Sequence, residues 1–97
     1  MAKYIMLLNW TDQGIRSVKD TTKRAQALRE MAKKIGVTVR DIFWTLGQYD
    51  VMSVLDAPDD EAVTALGLSI GALGNVRTQT LRALSENEIT RVLSKMK

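Results

Sequence analysis

No histidine and no cysteine occur among the 97 residues. The commonest metal ligand, the usual general base and any thiolate site are therefore missing together. Carboxylates, two tyrosines, hydroxyls, amides, lysines and arginines remain for chemistry. Six residues stand out: Trp10, Trp44, Tyr49, Asp50, Asn75 and Arg77. Aromatic walls with a few polar anchors are what a small-ligand pocket is made of. Asp50, set among apolar neighbours, demands a cationic or hydrogen-bonding partner, and Arg77 is a candidate. The same residues equally suit a structural role, with aromatics at strand ends in a core or interface and an Asp–Arg pair holding the fold. For catalysis only Asp50 or Tyr49 would act as acid or base, and a lone carboxylate is weak evidence. No catalytic residue is assigned, and no metal or cofactor is expected.

The elements that must position these residues follow from the hydrophobic pattern. Tyr4 to Trp10 is aromatic and aliphatic without a breaker, as in a strand buried on both faces. Thr11-Asp12-Gln13-Gly14 interrupts it. Residues 15 to 35 read as helix, with a break near Asp20-Thr21-Thr22. Val18, Ala25, Leu28, Ala32 and Ile35 fall on its apolar side. Gly36 closes that helix behind Lys33-Lys34. Val37 to Leu46 and Tyr49 to Leu55 read as two strands about a two-residue turn, Gly47-Gln48, of the type that prefers glycine first. Pro58 and the acids from Asp56 to Glu61 open a second helix that runs to about Leu73 and ends at Gly74. Gly67 and Gly71 on it, four apart, suggest close packing against the sheet or another helix. Val76 to Ala83 is the fourth strand. Ser85-Glu86-Asn87-Glu88 is a capping box for a last helix carrying Ile89, Val92, Leu93 and Met96.

This β-α-β-β-α-β order predicts a single α+β domain over residues 1–97, the split βαβ or ferredoxin-like sheet. Its strands lie in the order 4-1-3-2, each antiparallel to its neighbours, with both long helices on one face. The ends of strands one and two and the starts of strands three and four then share a rim, which gathers the six candidates.

Both sheet faces are apolar. One face of the hairpin carries Ile42, Trp44, Leu46, Tyr49, Val51 and Leu55, and the other Val39, Phe43, Met52 and Val54, with Asp41, Thr45 and Asp50 among them. A half-exposed antiparallel sheet would alternate apolar and polar instead. Two helices cover one face only. The other calls for a partner, and the expectation is a homo-oligomer of at least two copies. The alternative is that the C-terminal helix folds over it within one chain.

The net charge is +3, with nine basic and three acidic residues up to Arg40 and five basic and eight acidic beyond it. Most of those bases lie on one helix without interleaved aromatics, so nucleic acid is not expected as a partner. The longest uncharged stretch, 62–76, is glycine-punctuated and too short to span a bilayer, so no membrane partner is expected. The N-terminal apolar run is too short for a signal-peptide core, and the chain is placed in the cytoplasm.

From Trp44 to Asp50 the chain resembles the GYD-domain family, named for a glycine, tyrosine and aspartate at this turn, with Gln48 between Gly47 and Tyr49. The stretches from Thr11 to Ile15, Ala57 to Ala62 and Gly74 to Thr78 are similar to the family's others, so the likeness covers nearly the whole chain. The resemblance implies a prokaryotic domain of the ferredoxin-like, dimeric α/β-barrel type and brings no established activity. Two functional classes stay open beside nucleic-acid binding by the basic helix. One is a non-enzymatic oligomeric domain binding a small molecule at the rim. The other is a small metal-free enzyme, monooxygenase- or isomerase-like.

Overall fold

A computed structural model describes residues 1–97. β1 (Ala2–Trp10) leads through a short α1 (Asp12–Arg16) and a 3-10 turn (Val18–Asp20) into α2 (Thr21–Ile35). β2 (Thr38–Trp44), β3 (Val51–Ala57), α3 (Asp60–Ala72), β4 (Val76–Ala83) and α4 (Glu86–Leu93) follow. The strands form one sheet in the order β2-β3-β1-β4, antiparallel throughout, with α2 and α3 packed on one side. This is the ferredoxin-like α+β fold expected. No helix is long and apolar enough to cross a membrane.

Burial alternates along the two central strands because successive side chains point to opposite faces. Tyr4, Met6 and Leu8 of β1 and Val51, Ser53, Leu55 and Ala57 of β3 are buried on the helix side. They meet Leu28 and Ala32 of α2 and Val63, Leu66 and Ile70 of α3. The Tyr4 hydroxyl donates to Asp60 Oδ1 at 2.5 Å, which ties β1 to the first turn of α3. That hydrogen bond, aided by burial, holds the Tyr4 hydroxyl above its ordinary pKa. Gly36 caps α2 at φ +85°, with Val37 N–H bonding to Ala32 O, an ending that an L side chain would strain.

Four local expectations are corrected. The helix expected over 15–35 is two helices joined by a 3-10 turn. Thr11 accepts the Gly14 amide and so starts α1 three residues early, and the break falls at Ser17–Asp20. A β-bulge at Arg40 shifts the β2–β3 register, so Val39 stands opposite Leu55 and faces the helices, not the open side. Arg40 instead reaches Asp56, which also pairs with Lys3, and these two cations hold the Asp56 carboxyl below its ordinary pKa, Arg40 foremost. The hairpin turn is wider than two residues, because Thr45 Oγ1 takes the Tyr49 carbonyl (2.5 Å) that a tight turn would use. Thr45 N–H and Asp50 O close the loop at 2.9 Å, and Leu46 is fully exposed within it. Finally, Gly67 and Gly71 do not mark tight packing. A Cβ at Gly67 would sit 3.5 Å from Thr78, an ordinary contact, and one at Gly71 would meet open space.

α4 forms with its capping box complete, and Arg82 pairs with Glu88 at 2.7 Å. It does not fold back over the sheet. Ile89, Val92, Leu93 and Met96 remain 40–72% exposed. The radius of gyration is 14.6 Å, against about 12.5 Å for a compact chain of this length. Ile5, Leu7, Phe43, Met52, Val54 and Leu81 thus share a sheet face that no helix of this chain covers, with Phe43 55% exposed.

Candidate functional site

The six candidate residues separate onto the two faces of the sheet. Trp10, Trp44 and Asn75 line a cavity of about 110 Å³ on the helix side, near the rim. Leu8, Ile42 and Val51 form its floor, and Leu28, Met31 and Ile70 close it from α2 and α3. Its polar members are Thr21, Arg24 and Asn75. Tyr49 and Arg77 lie on the other face. The Tyr49 hydroxyl donates to Gln79 Oε1 at 2.8 Å, and Gln79 stands opposite Leu7, whereas Arg77 stands opposite Asn9. Asp50 sits between the two groups and does not pair with Arg77. Its carboxylate accepts the Trp10 backbone N–H at 2.9 Å, while its own amide donates to Leu8 O. The expected convergence of all six is therefore half met. The alternation of a strand cannot say which way a side chain turns once the ladder ends, and Tyr49 lies beyond it.

Each wall of the cavity is held by local chemistry. Trp44 Nε1 donates to Thr21 Oγ1 at 3.0 Å, which joins the end of β2 to the start of α2. Trp10 is fixed through Asp50 and through its neighbour Thr11, whose amide donates to Asn75 O at 3.1 Å and whose hydroxyl donates to Gly74 O at 2.5 Å. Gln13 Nε2 donates to both Leu73 O and Asn75 Oδ1, and so completes a clasp between α1 and the α3–β4 turn. Gly14 makes the clasp possible: a Cβ there would lie 1.9 Å from Asn75 O. Arg24 donates to Ser17 Oγ at 2.9 Å and Gly14 O at 3.2 Å, with its side chain half-buried.

Sequence reasoning missed Arg24 and Thr21 as lining residues, because Arg24 counted with the solvated basic face. The signal was there. Positions 24, 28, 31 and 35 recur at helical spacing, so Arg24 belongs to the same stripe as Leu28 and Ile35. No group of three or more Asp or Glu stands close enough together to hold a metal ion.

The GYD domain family matches residues 4–93. This chain belongs to the GYD domain family. The glycine, tyrosine and aspartate on which the resemblance rests all lie at the hairpin loop: Gly47 takes φ +99°, Tyr49 is held by Thr45 and Gln79, and Asp50 secures β1. A Thermus thermophilus protein named glutamine synthetase and cystathionine beta-lyase binding protein is 32% identical over 85 residues, covering 87% of this chain and 90% of that one. A crystal structure of a protein from the same organism matches with a TM-score of 0.57 at 24% identity, over 88% of this GYD domain and 95% of that chain. A hypothetical protein from Pyrococcus horikoshii matches at 0.59 and 17%, over 89% and 93%. At these identities the structural likeness shows the fold alone.

Proposed function

We propose that this GYD domain is a non-catalytic binding protein that works as a homo-oligomer and engages other proteins. The observation that carries the reading is the uncovered sheet face, where Ile5, Leu7, Phe43, Met52, Val54 and Leu81 form an apolar patch that touches all four strands, bordered by Gln79 and Arg77. An apolar patch of this breadth on a small domain marks an interaction surface. α4, with its own exposed apolar stripe, extends the surface available to a partner. Engagement of other proteins is supported by the relative named for binding two enzymes. The cavity, in turn, offers only a hydroxyl, a guanidinium and an amide, none of them a side-chain type that usually serves as general acid or base.

Light scattering at micromolar concentration tests the reading. Wild type should run as a dimer or larger, with an interface of at least ~1,200 Å², and Phe43→Glu should run as a monomer. A wild type that stays monomeric would refute it.

A further inference from the structure

The helix-side cavity is lined almost wholly by hydrocarbon and indole, yet Arg24 is set into its wall. Arg24 is half-buried, and the three ion pairs of the fold do not include it. A guanidinium has five N–H donors, of which this one commits one from each terminal nitrogen, to Ser17 and Gly14. Its position on α2 aggravates the imbalance. Lys23 and Arg24 both fall near the positive end of the helix dipole, the first turn holds no acid, and the Asp20 side chain makes no capping hydrogen bond. A cation removed from water without a counter-charge is unfavourable, and an anion beside it restores the balance.

We infer that this cavity binds a small monocarboxylic acid, its carboxylate on Arg24 and its apolar tail between Trp10 and Trp44. The site lies on the sheet face opposite the proposed interface and does not depend on that reading. A guanidinium suits a carboxylate because it presents paired donors in one plane. The volume limits the tail. An apolar cavity of about 150 Å³ takes one benzene, so about 110 Å³ fits a smaller tail, a branched chain of about four carbons. Asn75, whose Oδ1 is already occupied by Gln13, keeps its amide N–H groups for the ligand's second oxygen.

Both tryptophans of the chain line the cavity, so intrinsic fluorescence reports its occupancy directly. The probes are 3-methylbutanoate and the matched neutral amide, 3-methylbutanamide, titrated at pH 7, where the acid is ionised. The acid should saturate the fluorescence change and bind about tenfold or more tightly than the amide, because hydrogen bonds to charged groups are the stronger kind. Arg24→Gln should erase that preference, and Ala25→Leu, which fills the cavity, should abolish binding of both probes. Equal binding of acid and amide, or no saturable change with either, would overturn the proposal. So would an acid preference that survives Arg24→Gln, or undiminished binding in Ala25→Leu. Should Arg24→Gln fail to fold, the acid-against-amide comparison in the unaltered chain decides. None of these readouts depends on oligomeric state, so failure here and failure of the proposed interface are told apart.

Discussion

Asp50 is where β1 runs out of strand to pair with. Val51 is the last β3 residue in register with β1, opposite Leu8, and beyond it the Asp50 carboxylate takes over by accepting the Trp10 N–H. The need for a partner was legible in the sequence, since a carboxylate among apolar neighbours must be satisfied. The partner was not. Arg77 shares the rim but stands opposite Asn9, and a backbone amide close by in space needs no long side chain to be ordered. Because Trp10 walls the cavity, this bond also positions an aromatic residue there. Asp50→Ala should cost about 1–3 kcal/mol, the range for leaving a shielded donor unpaired, with Asp50→Asn at the low end because an acceptor oxygen remains. Urea unfolding measures both. An Asp50→Ala variant as stable as wild type would mean that water replaces the carboxylate without loss. The clasp at Gly14 was half legible: the expected β1–β4 pairing brings Asn75 to the end of β1, but nothing local in Thr11 to Gly14 shows that a backbone carbonyl will press against Gly14. Its partner, Asn75, is far away along the chain and is brought near only by the β1–β4 pairing.

Element order, strand pairing and the caps of α2 and α4 could all be read from periodicity and from Gly36 and Ser85, because these are local rules. The errors fall where one residue more or less changes the geometry. A single extra residue at Arg40 turns Val39 to the opposite face, and a single hydroxyl at Thr45 opens the hairpin loop. α4 is the element with the least tertiary support, so its caps matter most. The Ser85 backbone N–H and then the Arg82 guanidinium hold the Glu88 carboxyl down to about 2. A group whose folded-state pKa is depressed stabilises the fold above its ordinary value and loses that contribution as pH falls through the folded value. Helix content from α4 should therefore be full above about pH 4.5 and fade toward pH 2. An NMR titration of the Ser85 amide in wild type and Glu88→Gln checks this. In the variant that resonance should show no carboxylate-linked shift, and a wild-type midpoint near the ordinary glutamate value would contradict the cap.

At the scale of the whole molecule the sheet divides two tasks between its faces. The helix side encloses the core and the cavity, whereas the other side presents Ile5, Leu7, Phe43, Met52, Val54 and Leu81 without cover. A domain of this size buries only about two-thirds of its unfolded surface, so apolar area left on one face is a large share of what it has to stabilise itself. If two copies meet there, folding and association are coupled, and mass action requires the melting temperature to rise with protein concentration. Location on the sheet can be separated from location on α4. Leu81→Glu sits at the centre of the β4 edge of the face, opposite Ile5, so it should flatten the concentration dependence. Ile89→Glu should do the same only if α4 of one copy packs against the other. Calorimetry across a hundredfold range of concentration, on wild type and both variants, reads all three cases. A wild-type melting temperature that does not move over that range would mean that the open face stays open, and that the protein meets its partners as a single copy.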